Sequence, residues 1–335
     1  MKRWKINSFE ELENCISCKL ANIDISVLTK DYYSKIVEIP KRNGTREICV
    51  INKSNNLYQI QKNLKKNFLD NIVLSDRAFG FVKEQSYFDY LNEHTNCFSA
   101  KYYLRIDIKD FFGSINGKHI KDALNFYVDG EEKDDIIANL QKIVLFNDKL
   151  IQGTPIAPAI SNIVFRQLDI RIERYCDKCG VDYSRYADDL LFSSDKKGML
   201  DRRFIRTIER ILQSKDFNVN YDKIRLSESI IALNGFVVGE DVRLSRKKLK
   251  CISGMVYYLE KKPLIDDVTW FKEFSNNMRT FGYDEFSNKS EIINALAGNR
   301  SFIISAIRYA NEGKYKERCE RLIKRIEKQI EVISK

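Results

Sequence analysis

The sequence predicts an α+β fold, and three observations predict it. The first hundred residues mix short strand-like and helix-like segments. The middle of the chain carries strongly β-forming runs that lead into carboxylates, with a long helix-period segment before the second of them. From Ser245 onward the pattern is helical.

The elements follow in order. Lys35–Pro40 alternates like a strand, Lys41-Arg42-Asn43-Gly44-Thr45 is a turn with Asn-Gly as its hairpin signal, and Arg46–Ile51 is the returning strand. Leu57, Ile60, Leu64 and Phe68 share helical spacing, which predicts a helix over 57–69. Tyr102–Ile108 is a β-rich run ending in a carboxylate. Ile120–Leu145 reads as helical, Pro155 and Pro158 bracket a turn, and Ile163, Leu168 and Ile172 give Ala159–Tyr175 a helical stripe. Val181–Tyr186 and Leu190–Ser194 form a hairpin across Ala187-Asp188-Asp189. A helix over Arg202–Leu212 and strands around Val219 and Ile230–Val238 complete the middle. Near the end, Cys319, Leu322, Ile326, Ile330 and Ile333 line one stripe of an amphipathic helix over 315–333.

A length of 335 residues suits one compound domain or two to three subdomains, and the 44% hydrophobic and 31% charged fractions are those of a globular protein. Four prolines, 14 glycines and no repeat exclude low-complexity and solenoid classes. The net charge is +10, and residues 245–335 hold 19 Lys/Arg against 12 Asp/Glu. A polyanionic partner accounts for that excess, since Lys and Arg that neutralise phosphates release counterions; a basic surface kept solvated accounts for it equally. A membrane span needs ~18 uninterrupted apolar residues, and no segment has them. Met1–Asn7 is charged with no apolar stretch after it, so no signal peptide and no membrane partner are expected, and the expected location is the cytoplasm. The eight cysteines then read as reduced thiols. Cys15/Cys18 and Cys176/Cys179 have zinc-type spacing, but the pairs lie far apart, no His cluster accompanies them, and Cys176–Gly180 looks like a hairpin turn.

The chemistry starts from carboxylates. Asp188 and Asp189 lie side by side between two β-forming runs, where a tight turn can aim both the same way. Adjacent carboxylates repel unless a cation lies between them, an arrangement that suits Mg²⁺ and its oxygen ligands. Asp107 ends a separate strand, and the three together could hold two metals about 4 Å apart. The alternative for a lone Asp-Asp pair is a solvated turn.

The neighbouring motifs give that pair its context. Tyr186-Ala187-Asp188-Asp189 resembles the YxDD box of reverse transcriptases. Arg105–Ile115 resembles motif A, Gln152-Gly153-Thr154-Pro155-Ile156-Ala157-Pro158 with Asn162 resembles motif B, and Asn220-Tyr221-Asp222-Lys223 resembles motif D. Leu233-Asn234-Gly235-Phe236 resembles the primer grip, while Ile39–Ile48 and Arg77-Ala78-Phe79-Gly80-Phe81 resemble two finger motifs. The similarity covers residues 35–255, with a weaker thumb-like match at Leu296–Phe302. It implies a right-hand polymerase with fingers over 1–100, palm over 101–243 and a helical thumb over 244–335.

The resemblance also implies roles. Asp107, Asp188 and Asp189 become ligands of two Mg²⁺ ions (Mn²⁺ being possible), with the Ile108 carbonyl as an extra ligand. Phe112, five residues after Asp107, matches the ring that crowds a ribose 2′-OH, although a core aromatic is its other reading. Gln152 and Gly153 border the incoming dNTP, Lys41 and Arg46 clamp its triphosphate, and Lys223 is a proton donor to the pyrophosphate. His94, Asn234 and Gly235 are expected to contact RNA or primer.

The family branch most resembled is the bacterial retron reverse transcriptase. That implies a structured non-coding RNA as template and primer, an RNA–DNA hybrid product, anti-phage defence and an effector protein partner. Three marks depart from the pattern: Tyr90-Leu91-Asn92-Glu93-His94 keeps only the His of NAxxH, Leu233-Asn234-Gly235 keeps only the Gly of VTG, and Ala157 replaces the motif B serine. Another defence-associated or group II intron-derived reverse transcriptase, or a non-catalytic RNA-binding subunit of a defence complex, fits the same residues.

Overall fold

The computed structural model describes residues 5–22, 24, 29, 31–33, 35–40, 45–95, 101–265 and 267–335. The chain packs into two compact units, Met1–Tyr90 with Leu104–Leu226, and Leu91–Tyr103 with Ser227–Lys335. In chain order the elements are α1 (Phe9–Ile16), β1 (Lys35–Pro40), β2 (Thr45–Val50), α2 (Asn56–Asn67), α3 (Tyr87–Asn92) and β3 (Tyr102–Asp107). Then come α4 (Gly117–Leu124), α5 (Lys133–Val144), β4 (Leu145–Phe146), β5 (Lys149–Leu150), α6 (Ala157–Cys179), β6 (Asp182–Tyr186), β7 (Asp189–Ser194) and α7 (Arg202–Gln213). The last part holds β8 (Arg225–Glu228), β9 (Ile231–Leu233), β10 (Phe236–Val238), β11 (Val242–Leu244), α8 (Arg246–Lys261), α9 (Val268–Arg279), α10 (Lys289–Ile307) and α11 (Lys314–Ser334).

In the first unit, β1 and β2 pair antiparallel from Lys35↔Val50 to Pro40↔Thr45, as the Asn-Gly signal predicts. The turn residues Lys41–Gly44 lie outside the described residues. Asn55 caps α2, its side chain accepting from Leu57 N, and Leu57, Ile60 and Leu64 are buried at the predicted spacing. A four-stranded sheet has the order β6-β7-β3-β8. β6 and β7 pair antiparallel down to Tyr186↔Asp189, which leaves Ala187-Asp188 as a two-residue turn.

Two readings are corrected here. The helix expected over 120–145 is two helices, α4 and α5, because the chain between them turns its hydrogen bonds elsewhere. Ile6 N donates to Tyr127 O at 3.0 Å and Asp129 N to Ile6 O at 2.9 Å, so a distant segment captures those groups. Cys176–Cys179 is the last turn of α6 rather than a hairpin turn, and the helix ends at Gly180 in the left-handed region (φ 64°).

What holds the sheet to α6 is a fully buried ion pair. Arg185 on β6 and Asp169 on α6 are both 0% exposed. Arg185 Nε donates to Asp169 Oδ1 and Nη2 to Oδ2, each at 2.8 Å, and Tyr183 OH donates to the same Oδ1 at 2.8 Å. Nη2 also donates to Asn162 Oδ1 at 3.1 Å, and Nη1 to the Ala187 carbonyl at 3.1 Å. The guanidinium lies 4.5 Å from the Phe165 ring centroid.

In the second unit, β9, β10 and β11 form an antiparallel sheet, with Phe236 opposite Leu233 and Leu244. Asn234 (φ 48°) and Gly235 (φ 90°) make the two-residue turn between β9 and β10, the conformation that Asn-Gly adopts most readily. Ser245 caps α8, accepting from Lys248 N. On α11 the buried stripe is Cys319, Leu322, Ile326, Gln329 and Ile333. Gln329 therefore takes the place expected for Ile330. Among the described residues no helix is long and apolar enough to cross a membrane.

Removing one partner of a buried, fully hydrogen-bonded pair leaves the other charge uncompensated. Asp169→Asn is therefore expected to cost about 3–5 kcal/mol in urea denaturation. A loss below about 1 kcal/mol would mean that Arg185 finds another counter-charge or water.

Candidate active site

Strand pairing assembles the carboxylates. Asp107 ends β3 and is 2% exposed, while Asp189 opens β7 and is 8% exposed. β3 and β7 are neighbours in the sheet, and a main-chain bond from the end of β3 to the turn before β7 sets these ends together. Ile108 N donates to the Asp188 carbonyl at 2.9 Å, and Asn220 N donates to the Asp107 carbonyl at 2.8 Å. These bonds tie the turn, the strand end and the segment after α7 into one patch.

The charges feel one another. Burial pushes the Asp188 carboxyl above its ordinary range, and the neighbouring Asp107 pushes it the same way. Burial likewise raises the Asp189 carboxyl, opposed by the Arg105 guanidinium and helped by Asp188 and Asp107. Arg105 Nε and Nη2 both donate to Asp189 Oδ1, at 2.9 and 2.5 Å. Lys223 Nζ donates to both oxygens of Asp107, at 2.9 and 2.8 Å, and Asn220 Nδ2 adds a third bond at 3.1 Å. Among the described residues Asp188 makes no ion pair.

Among the described residues no three acidic, cysteine or histidine side chains are grouped so as to hold a metal ion as they stand. Asp107 and Asp189 are instead engaged by Lys223 and Arg105. The donor chemistry nonetheless fits an oxygen-seeking divalent ion: three carboxylates on one patch, two of them penalised by burial and mutual repulsion that a cation would relieve.

A segment from the finger motif braces the turn. Ala78 bridges Arg185 in parallel, Phe79 N donates to Arg185 O at 2.8 Å, and Arg185 N donates to Arg77 O at 2.7 Å. Asn162 Nδ2 donates to the Gly80 carbonyl at 2.8 Å. Gly80 comes so close to the turn that a Cβ there would stand 2.6 Å from Ala187 N and 3.1 Å from Tyr186 C. Two residues beside this contact hold left-handed backbone, Phe81 (φ 62°) and Ala187 (φ 56°). Each costs roughly 1–2 kcal/mol for a residue with a side chain.

The remaining predicted residues divide. Phe112 is half-buried, its ring 5.3 Å from Phe111 and 6.2 Å from Phe81, while Phe111 is the buried core aromatic. Gln152 is half-buried and Gly153 exposed, with φ 100°. Arg46 lies on β2, its side chain outside the described residues, as is the whole of Lys41. Asn234 and Gly235 belong to the second unit. His94 belongs to it too, with its side chain buried. Arg105, Asp169 and Arg185 have roles that motif reading missed. Arg105 carried a signal, since residues two apart on a strand share a face and Arg105 therefore lies on the face of Asp107.

Paired carboxylates beside a strand turn, a third at the end of the adjoining strand and basic side chains among them form the kind of patch that two-metal nucleic-acid chemistry uses. The family described as reverse transcriptase (RNA-dependent DNA polymerase) matches residues 39–252, and the chain belongs to that family. Retron Ec86 reverse transcriptase from Escherichia coli is 28% identical over 260 residues, covering 76% of this chain and 78% of that protein. Retron Ec73 reverse transcriptase, also from Escherichia coli, is 30% identical over 246 residues, covering 66% of this chain and 76% of that protein. Among solved structures, telomerase from Candida albicans in complex with a TWJ fragment of telomeric RNA aligns with 90% of this chain and 65% of that one, at 13% identity and a TM-score of 0.49. By its family and these relatives the chain is an RNA-directed DNA polymerase of retron type, in a family that works with divalent metal ions, and its fold is α+β.

The contact between Gly80 and the turn gives a direct check. Gly80→Ala sets a methyl against main chain on the catalytic turn, so primer extension should fall at least tenfold, roughly the effect of ångström-scale misplacement. Native-like extension by this variant would show that the turn tolerates displacement.

Proposed function

We propose that this enzyme copies a structured non-coding RNA into DNA by two-metal nucleotidyl transfer, and that the RNA–DNA hybrid serves anti-phage defence with an effector protein in the cytoplasm. One observation carries the chemistry: Asp188 in the β6–β7 turn and Asp189 at the start of β7 lie beside Asp107 at the end of β3, with Ile108 bonded to the turn. The similarity to retron reverse transcriptases supports the choice of template and the defence role.

In this reading residues 1–100 are fingers, 101–243 palm and 244–335 thumb. Asp107, Asp188, Asp189 and the Ile108 carbonyl would hold two Mg²⁺ ions, or Mn²⁺ in their place. What those ions supply is activation of the primer 3′-hydroxyl and offset of charge on the departing pyrophosphate. The chain's own residues do the rest. Lys223 and Arg105 neutralise the acidic patch in the free enzyme and give up Asp107 and Asp189 when the substrate complex forms. Lys223, its side chain 53% exposed, then holds at Nζ the proton that the pyrophosphate takes. Phe112 crowds the 2′ position so that deoxynucleotides are preferred. Gln152 bonds the sugar or phosphate, and Gly153, without a side chain, lets the backbone approach. Lys41 and Arg46 clamp the triphosphate, and the Asn234-Gly235 turn steadies the primer. The basic residues of 245–335 follow the phosphate backbone.

Purification from the native locus followed by sequencing of the bound nucleic acid tests this reading. A short structured RNA with DNA complementary to part of it is the expected result, and the junction would identify the priming nucleotide. RNA with no complementary DNA would overturn the retron-type reaction.

A further inference from the structure

We propose that Phe81 is a positioning residue for sugar selection: its ring holds Phe112 in place as the gate against ribonucleotides. The inference rests on the reading of Phe112 as that gate, and it starts from an oddity. Phe81 is 50% exposed and has φ 62°. A bulky side chain is a poor choice there on both counts. The left-handed region favours Gly or Asn, and an exposed aromatic forgoes burial. The fold alone would be served better by a smaller residue, so the ring itself is what the position retains.

The surroundings show what the ring does. Phe81 follows Gly80, which is pinned by Asn162 and pressed against the Tyr186–Ala187 backbone. The chain therefore has no freedom to relax the strain by moving away. From this anchored point the Phe81 ring reaches two others, Phe112 at 6.2 Å and 57° and Tyr186 at 6.4 Å and 39°. Both are tilted contacts within the range of favourable aromatic pairs. Among the described residues Phe112 has one other aromatic neighbour, Phe111, which is buried against Phe165 at 5.7 Å and Phe217 at 5.9 Å. The half-buried gate ring thus has an immovable core aromatic as one neighbour and Phe81 as the other. A steric gate discriminates only if its ring cannot swing aside, and Phe81 is the solvent-side ring that opposes such a swing. The Tyr186 contact ties the same ring to the residue that precedes the catalytic turn.

The test is single-nucleotide extension on an RNA template, comparing kcat/KM for a dNTP and the matching rNTP, together with urea denaturation and template–primer affinity. The variants are Phe81→Gly, Phe81→Leu, Phe81→Tyr and Phe112→Ala. Phe81→Gly removes the ring and relieves the backbone, so its urea midpoint should not fall below native, while its dNTP preference should drop about fivefold or more. Phe81→Leu, which keeps the bulk without the ring, should lose discrimination too, and Phe81→Tyr should stay within about twofold of native. If Phe112→Ala relaxes selection but Phe81→Gly and Phe81→Leu do not, the proposal is overturned and the gate stands. If Phe112→Ala also leaves selection intact, the gate reading fails and takes the proposal with it. A loss of template–primer affinity with unchanged sugar preference would assign the Phe81 ring to base stacking and would likewise overturn the proposal.

Discussion

The buried guanidinium of Arg185 is the constraint on which the carboxylate patch depends. A charge with no solvent exposure costs several kcal/mol unless its donors are matched, and here every nitrogen of the group has an acceptor. Asp169 takes two donors, Asn162 a third and the Ala187 carbonyl a fourth. Asp169 and Asn162 are seven residues apart on α6, two helical turns along one face, so a single straight helix presents both. The Ala187 carbonyl lies inside the turn that carries Asp188. The strand's position on the helix and the turn's conformation are therefore set by one side chain. The backbone of Arg185 extends the same constraint to Arg77 and Phe79, so helix, hairpin and finger segment meet at a single residue.

That rigidity has an electrostatic counterpart. Asp107, Asp188 and Asp189 are held near one another, and burial penalises the charged forms of Asp188 and Asp189. Lys223 pairs with Asp107 and Arg105 with Asp189, whereas Asp188 in the turn has no such partner among the described residues. In the proposed reading the bases hold what a divalent ion would otherwise hold. Lys223 is the more exposed of the two, with a side chain 53% accessible against 19% for Arg105, so it is the readier to leave. Asymmetry of this kind lets one carboxylate be freed while the other stays in place.

Much of this was legible in the sequence. The β6–β7 hairpin and the β3 strand end follow from β-forming runs bounded by carboxylates, although the turn is two residues rather than the expected three because Asp189 pairs with Tyr186. The β1–β2 hairpin follows from Asn-Gly, and the helical character after Ser245, with the buried stripe of the last helix, follows from apolar spacing. What was not legible depended on partners distant in sequence. The break between α4 and α5 arises because Ile6 captures the hydrogen bonds of Tyr127 and Asp129. Asp169 interrupts an apolar stripe in a way that only makes sense once Arg185 faces it. The burial of His94 likewise carries no local signal. Local pattern reports element type well because periodicity is a local property; the pairing of charges across elements is not.

Incorporation of labelled dNTPs on an RNA template with an annealed primer, by the native chain and by Asp188→Asn in the presence of divalent ions, tests the central claim most directly. The account predicts template-dependent DNA synthesis by the native protein, and no extension by the variant although its urea midpoint and RNA binding persist. Extension at native rate by Asp188→Asn, or none by the folded, RNA-bound native chain, would contradict the assignment of this carboxylate patch as the polymerase centre.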